Sequence, residues 1–351
     1  MADQPNKQSR AHGAAWLHEQ SVVVLTHDHL ANRRALLGML AGGVTAKVLH
    51  LTVDALIWEY GGKRYVESQK QRDGIGWKAL ALEALRRVRR IIDSEPDRFA
   101  LIRTPRDILA AKRHGKAGII LGFEGAKPLE GTIEALREFH ALGLRVIQLT
   151  WAVPSLLVEE DRDAGLTPFG RQVIREMNRL GMVVDIAHLT YLSRRAFFQA
   201  VELSEKPVMA GHNTVRPLAR QGELDEEQVC AIAAKGGIIG LHFCSHLVSR
   251  TGDTTPQASL DELIDQVDHI ASLAGIDHVA LGADFFRNDK VYARCMGHNV
   301  SWIRGAATVR KIPNVTRALV RRGFSDPDIE KVLGQNFLRI FDAAQAGAHG
   351  N

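Results

Sequence analysis

The sequence predicts a single-domain (β/α)8 barrel. Eight short runs of apolar, β-branched-rich residues alternate with segments that carry helix start and stop signals. Such runs, apolar throughout, are typical of strands buried on both faces of a parallel sheet. Eight strands that alternate with helices favour a closed barrel. Two doubly wound domains are the alternative, but no composition break and no Pro/Gly/Ser-rich linker divides the chain. The predicted strands are 21–26, 47–53, 117–123, 144–150, 182–187, 206–211, 236–242 and 278–283.

The segments between these strands contain recognisable helix boundaries. Thr104-Pro105 and Thr167-Pro168 each place an N-cap residue before a proline at the first helical position. Asp225 and Gln228 have the spacing of a capping box. Gly181 follows the second of these helices, as expected for a C-terminal cap. These signals predict helices in the positions that a barrel requires.

The predicted domain boundaries are simple. We expect an N-terminal extension over residues 1–16 with little order, a barrel over 17–342 and a C-terminal tail over 343–351. Residues 57–68 surround a Gly-Gly pair and predict a small β-hairpin inserted after the second strand.

Composition restricts the class of protein. The chain has 351 residues, 45% hydrophobic and 24% charged, with a formal net charge of +5. These values are ordinary for a globular enzyme, and the interleaved charges give no support for nucleic-acid binding. Three scattered cysteines do not predict a disulfide framework. No apolar leader, lipid-anchor tail or run of about 18 apolar residues is present, so we expect a cytoplasmic protein without membrane association.

The predicted strand ends carry an unusual set of side chains. A barrel places its chemistry at the carboxyl ends of its strands, where all of them share one rim. Five of these ends carry histidine, glutamate or aspartate, which are all ligand types for divalent metals. The residues are His27, His29, Glu124, His188, His212 and Asp284. One histidine at a strand end is weak evidence, but the coincidence on five strands predicts a metal site.

The spacing of these residues explains how they could share metal ions. His27 and His29 are two residues apart, so both can face the barrel mouth. His188 and His212 are separated by about one β/α unit, which places them on adjacent strands. Five ligands exceed the need of one tetrahedral zinc, but two ions bridged by Glu124 would use all five and leave room for a water. We assign His50, His242, His246 and His278 to the core or to loops.

Motifs for other chemistries are missing from the sequence. It contains no G-x-G-x-x-G before a helix, no G-K-[ST] and no G-x-S-x-G. A nucleotide-binding loop and a serine nucleophile elbow are therefore not predicted.

The residues also carry a family resemblance. The chain resembles the renal (membrane) dipeptidase family, zinc peptidases of the amidohydrolase superfamily, from about residue 17 to 342. The most specific stretches are GFEGA (122–126), GLTPFGRQVIREMNRLGMVVDIAH (165–188), PVMAGHNTVR (207–216), ALGADF (280–285) and VLGQNFLRIF (332–341). The segment that ends at His188 is close to a family signature.

The resemblance implies a distorted (β/α)8 barrel with two divalent metal ions, expected to be zinc. By position, Glu124 would bridge the metals, His188 and His212 would hold the second metal, and Asp284 would transfer the proton. The implied activity is hydrolysis of dipeptides, including some with a C-terminal D-residue, through a hydroxide shared by the metals. The expected partner is a small-molecule substrate, and relatives are often homodimers.

Three departures from the family pattern concern the metal and the substrate. His29 stands where the family usually has aspartate, so the first metal would lose a negatively charged ligand. Trp151 stands where many relatives carry a substrate-contacting histidine, and tryptophan cannot accept a proton. The arginine that grips the substrate carboxylate in relatives aligns with Gly222, which leaves Arg220 and Arg216 as candidates and Arg287 as a further one.

These observations predict a binuclear metal-dependent dipeptidase. Because a fold does not fix its substrate, a hydrolase of the same fold that acts on another amide, a lactam or an ester is the first alternative. A catalytically silent barrel that serves as a binding protein is the second, and the loss of histidine at position 151 is consistent with it.

Overall fold

The computed structural model describes residues 13–54, 76–151, 155–159, 164–252, 257–286 and 300–348. Nine parallel strands form one sheet in these ranges. They are β1 (Val24–Asp28), β2 (Ala46–Val53), β3 (Phe99–Ile102), β4 (Ala117–Glu124), β5 (Leu144–Gln148), β6 (Val183–Asp185), β7 (Met209–Asn213), β8 (Ile238–His242) and β9 (Val279–Gly282). The strand order is β2-β1-β9-β8-β7-β6-β5-β4-β3, and an additional β2–β4 pairing closes eight of the strands into a barrel.

The predicted (β/α)8 barrel is therefore confirmed, and each of the eight predicted runs overlaps a barrel strand. The strand β3 was not predicted; it has four residues and pairs with the first half of β4. On the same edge of β4, the second half pairs with β5. The strand β3 lies outside the closed ring. It has four residues, and the middle two are only partly buried, so its sequence does not show the apolar pattern of a barrel strand.

Helices connect the strands. They are α1 (Gly13–Gln20), α2 (Arg33–Ala41), α3 (Trp77–Ser94), α4 (Pro105–Arg113), α5 (Ile133–Leu142), α6 (Pro168–Leu180), α7 (Leu189–Leu192), α8 (Arg194–Leu203), α9 (Glu226–Ala234), α10 (Ser245–Val248), α11 (Leu260–Ala274), α12 (Pro313–Arg322), α13 (Asp326–Glu330) and α14 (Asn336–Gln345), with a π-helical turn at Lys331–Gln335. None of the described helices is both long and apolar enough to cross a membrane.

The predicted helix boundaries at three positions are confirmed. Thr104 caps α4 with Asp107 in a capping box, and Asp225 caps α9 with Gln228 in the same way. The Thr167 side chain accepts a hydrogen bond from the Gly170 backbone at the start of α6. These local bonds satisfy amide groups that have no partner within the helix. They fix where each helix leaves the barrel rim.

The core separates the two ends of the barrel. Most buried apolar side chains lie in one cluster that joins the strands to the surrounding helices. A second cluster joins first residues of strands, among them Val24, Met209 and Ile238, to Phe337 and Phe341 of α14. The last helix therefore packs at the amino ends of the strands. This leaves the carboxyl ends for the site.

Two predicted boundaries fall inside helices. Residues 13–16 belong to α1, and α14 continues past residue 342 to Gln345. Residues 1–12 and 349–351 lie outside the described residues, as does the predicted hairpin at 57–68.

Candidate metal centre

The carboxyl ends of five barrel strands bring the six predicted side chains together. His27 lies in β1 and His29 follows it, while Glu124 is the last residue of β4. His188 follows β6, His212 lies in β7 and Asp284 follows β9. His27 is fully buried, and Glu124 and His212 are each 3% exposed. The site therefore lies inside the mouth of the barrel and is largely closed to bulk water.

One group of ligand atoms is formed by the two histidines of the first strand and Glu124. The Nε2 atoms of His27 and His29 are 3.0 Å apart. His29 Nε2 lies 3.3 Å from Glu124 Oε2, and His27 Nε2 lies 3.7 Å from Glu124 Oε1. The expected convergence of the two histidines is thus observed, while Asp28 points away and pairs with Lys47.

The second group shares the same carboxylate. His188 Nε2 lies 3.0 Å from Glu124 Oε1, and His212 Nε2 lies 3.7 Å from that oxygen. The Nε2 atoms of His188 and His212 are 3.1 Å apart. The ligand atoms within each group all lie within 4.8 Å of one another. Glu124 therefore stands between two histidine pairs, as a bridging ligand would.

The backbone is strained at two of these positions. Among the described residues, three that are not glycine have a positive φ, and His188 (64°) and Asp284 (50°) are two of them. Such conformations persist only where the surrounding structure holds them. Tyr191 contacts His188 Nδ1 through its hydroxyl, and the Trp302 indole N–H donates to the Asp284 carbonyl at 3.2 Å. These contacts hold the ring of His188 and the backbone of Asp284.

The electrostatics of the cluster fit a positively charged occupant. Burial and neighbouring imidazoles hold the pKa of His27 and His212 far below its usual value, so both are neutral with free lone pairs. Burial also opposes charge on His29, but Asp284 and Glu124 overcome it and raise its pKa to about 9. The carboxylates thus stabilise positive charge at this point. Neutral imidazoles around carboxylates are a donor set that divalent metals accept.

A buried carboxylate supports the cluster from below. Asp185 Oδ1 accepts hydrogen bonds from the backbone N–H groups of Ala187 and Gly211, both at 2.9 Å. Burial raises the pKa of Asp185 to about 7. These bonds tie the end of β6, which leads to His188, to β7, which carries His212.

Two histidines that the sequence analysis assigned to the core lie against the cluster. The His50 ring stacks on His27 with centroids 3.8 Å apart and an interplanar angle of 20°. His242 Nε2 lies 3.2 Å from Asp284 Oδ2. Both residues are buried, as expected for core residues, but His242 also contacts the predicted proton-transferring carboxylate, which its assignment to the core or loops did not anticipate. His242 ends a predicted strand, so the strand-end rule contained the signal, whereas His50 lies within β2 and gave none.

His50 is not placed to share a metal with His27, although a ring nitrogen of each histidine and a carboxylate oxygen of Asp185 lie close together. The lone pairs of an imidazole lie in the ring plane. Because the two rings are stacked nearly parallel, those planes are separate and one cation cannot lie in both. His50 therefore packs beneath the cluster.

The predicted substrate-binding residues separate into two places. Trp151 is half-buried with its ring 6.3 Å from the His188 ring, so it lies beside the cluster. Arg216 and Arg220 are exposed and line an open cavity of about 650 Å³ together with Arg250. None of the described residues that line this cavity belongs to the histidine cluster. Arg287 lies outside the described residues.

Gly222 shows why its position carries no arginine. A Cβ atom built there would lie 2.6 Å from the Arg216 backbone N and Cα and from the Val215 carbonyl oxygen. These atoms belong to a backbone pairing in which the Arg216 N–H donates to the Leu224 carbonyl. A side chain at 222 would therefore require this segment to move.

A closed eight-stranded barrel with a histidine–carboxylate cluster at its carboxyl rim is the architecture of a metal-dependent hydrolase. A family model described as membrane dipeptidase (peptidase family M19) matches residues 45–351. The chain belongs to this family. The matched range begins after β1, so His27 and His29 precede it.

One relative agrees with this assignment, and two solved structures share the fold. The chain is 30% identical over 259 residues to dipeptidase tcpJ of Claviceps purpurea. The aligned region covers 72% of this chain but 57% of that protein. An amidohydrolase from Pseudomonas aeruginosa has the same fold, with a TM-score of 0.81 and 24% identity over 95% of this chain and 99% of the other. A metallo peptidase from Rhodobacter sphaeroides, liganded with a phosphinate mimic of L-Ala-D-Ala, matches with a TM-score of 0.75, 21% identity and 93% and 100% coverage.

Proposed function

We propose that this protein is a metal-dependent dipeptidase that hydrolyses the amide bond of dipeptides, including those with a C-terminal D-residue. One observation carries the proposal: Glu124 lies between two pairs of histidine Nε2 atoms at 3.0–3.7 Å. Family membership and the Claviceps relative's name support a dipeptide substrate. The Rhodobacter structure adds a relative in fold that holds a dipeptide mimic.

The cluster would hold two divalent cations, and zinc suits its nitrogen and oxygen donors. His27 and His29 would hold the first, His188 and His212 the second, and Glu124 would bridge them. When bound, the cations would lower the pKa of a water and polarise the scissile carbonyl. A ligating imidazole at position 29 would carry no charge, whereas the family usually has a carboxylate there. The first site would therefore bind its cation more weakly than a site with aspartate.

Asp284 would move the proton. Its Oδ1 lies 3.2 Å from His29 Nε2, beside the first ligand pair, and 3.7 Å from His27 Nε2. Burial would raise the pKa of this carboxyl, but hydrogen bonds from His242 and His29 dominate and hold it below its usual value. Asp284 is therefore ionised at neutral pH and can accept a proton from the attacking water. It would return that proton to the leaving amine.

Two observations favour a second candidate, a hydrolase for a non-dipeptide amide, a lactam or an ester. Gly222 has no room for a side chain, so the arginine that would bind a dipeptide carboxylate is missing there. Trp151 lies beside His188 and presents an apolar ring with a single N–H donor. Both features suit a substrate whose recognition does not require an arginine at position 222.

The test combines metal analysis with a substrate panel. The purified chain is stripped with a chelator, reloaded with zinc, and assayed on L,L- and L,D-dipeptides beside N-acyl amino acids, lactams and lactones. About two zinc ions per chain with dipeptide turnover supports the first proposal. Turnover only on the other substrates replaces it with the second candidate.

Absence of bound metal and of any turnover would instead support the silent barrel that acts as a binding protein. Glu124→Gln is the matched control, since it keeps the size of the side chain but removes the bridging charge. We expect this variant to lose both metal and turnover. The zinc identity, a cytoplasmic location and a homodimer stay predictions from the sequence.

A further inference from the structure

His242 contacts the oxygen of the Asp284 carboxylate that His27 and His29 do not contact. It is the last residue of β8 and pairs in register with Gly282 of β9, two residues before Asp284. His242 is 3% exposed, and its Nε2 lies 3.2 Å from Asp284 Oδ2. His29 Nε2 contacts the other oxygen, Oδ1, at 3.2 Å. The carboxylate is therefore held between two imidazoles, one on each oxygen.

The backbone determines which nitrogen of His242 carries the proton. The Cys244 backbone N–H donates to His242 Nδ1 at 2.9 Å. An amide N–H can only donate, so Nδ1 must present its lone pair. A neutral imidazole then has its proton on Nε2, the nitrogen that faces Asp284.

With this tautomer, His242 cannot serve as a metal ligand. A ligating nitrogen must offer its lone pair to the cation, and His242 Nε2 has none to offer. His242 can therefore not act with His212 and Asp284 as a third metal site, although the three residues lie close together. The contact that remains is a hydrogen bond donated to Asp284.

We propose that His242 is a positioning residue that donates its Nε2–H to Asp284 Oδ2 and so keeps Oδ1 directed at the reacting centre. The inference rests on the proposed hydrolase function for its catalytic consequence, but the tautomer itself does not depend on activity. In the metal-loaded enzyme the His29 lone pair would be used by the cation. His242 would then be the histidine that still donates to Asp284.

The first test reads the tautomer directly. Long-range ¹H–¹⁵N correlation spectra of the full-length ¹⁵N-labelled chain are recorded as purified and after addition of Zn²⁺, and His242 is assigned by its absence in His242→Gln. We expect an unprotonated Nδ1 and a protonated Nε2 in both spectra. A proton on Nδ1, or a shift of Nε2 on zinc addition that indicates ligation, would overturn the proposal whether or not the protein hydrolyses anything.

The second test separates positioning from metal binding and from folding. His242→Phe removes the donor, and we expect kcat to fall about 10- to 100-fold with KM within about twofold and metal content unchanged. The Gln amide reaches about the position of Nε2 and can donate, so His242→Gln should recover most of that loss. His246→Phe, which removes a histidine whose Nδ1 contacts Cys244 Sγ instead, is the matched control and should keep wild-type kcat.

The outcomes are distinct. Loss of metal in His242→Phe would make His242 a ligand and overturn the proposal. Equal loss of kcat in the Phe and Gln variants, with normal folding, would also overturn it, because a donor at that point would then have no effect. If no substrate is hydrolysed by the wild type, the proposed function fails, and the spectra still decide the tautomer.

Discussion

Asp284 combines a positive φ with a carboxylate held by hydrogen bonds on both oxygens. If this side chain transfers the proton, Asp284→Asn should keep the shape of the site but lose the base. We expect turnover to fall about 10²- to 10⁴-fold with metal content close to wild type. Steady-state kinetics and metal analysis on the same preparation measure both quantities. Wild-type turnover in this variant would remove Asp284 from the mechanism.

The residue between the two first-strand histidines is buried and charged. Asp28 Oδ1 lies 2.6 Å from Lys47 Nζ, and each residue is 1% exposed. Lys47→Met would leave the Asp28 charge without its partner in a dry environment. We expect a loss of about 3–5 kcal/mol in the free energy of unfolding, measured by urea denaturation.

The double variant Asp28→Asn with Lys47→Met provides the control for this pair. It removes both charges, so it should recover much of the stability lost in the single variant. Equal stability of the single variant and the wild type would show that the pair does not compensate a buried charge.

At the scale of elements, α5 and α6 are joined by an ion pair whose carboxylate is largely buried and whose arginine is half-exposed. Glu176 of α6 accepts hydrogen bonds from Arg137 of α5 at 2.7 Å and from Arg179 at 2.8 Å. The hydrogen bond from Arg179 is the main cause that lowers the pKa of Glu176 to about 2, against the opposing effect of burial. The folded state therefore prefers the ionised carboxylate more strongly than the unfolded state does.

The sign of this shift predicts an acid-dependent loss of stability. The contribution of Glu176 to the free energy of unfolding is complete above the pKa of about 4.5 that the group has in the unfolded state. This contribution is lost as the pH falls toward 2. Because both arginines are about half-exposed, solvent screening limits this contribution to the free energy of unfolding to about 1 kcal/mol. Glu176→Gln should lower stability at pH 7 and flatten the decline between pH 4.5 and 2. Parallel stability curves for the two proteins would contradict this.

At the scale of the whole molecule, we expect the proposed metal centre to stabilise the barrel. The proposed ligands lie in or directly after β1, β4, β6 and β7, which come from separate parts of the chain. A cation that binds only the folded state stabilises it by about 2.7 kcal/mol at a hundredfold excess over Kd for each site. Chelation should therefore lower the Tm, and zinc should restore it, as measured by scanning calorimetry. Glu124→Ala should show little response to either treatment, and a wild-type Tm independent of metal would contradict the binuclear centre.

The strand-end residues were predictable because barrel topology imposes one simple rule. The carboxyl ends of parallel strands in a closed barrel share one rim. His27, Glu124, His188 and His212 all lie at or directly after such ends, so they meet at that rim. The family resemblance added the fold and family, which the structure and the comparisons confirm. The same rule applied to His242, but a single histidine at a strand end is weak evidence in a sequence. His50 and the short strand β3 had no pattern that distinguishes them from core.

The sequence by itself determined the barrel, the helix caps and the set of side chains at its mouth, because each depends on local periodicity or on strand polarity. Only the tertiary structure decided which nitrogen of His242 holds a proton and why Gly222 excludes a side chain. Those properties depend on distances between particular atoms, which the fold of the backbone sets. A sequence pattern records spacing along the chain, whereas a hydrogen bond or a steric contact is fixed by packing across it.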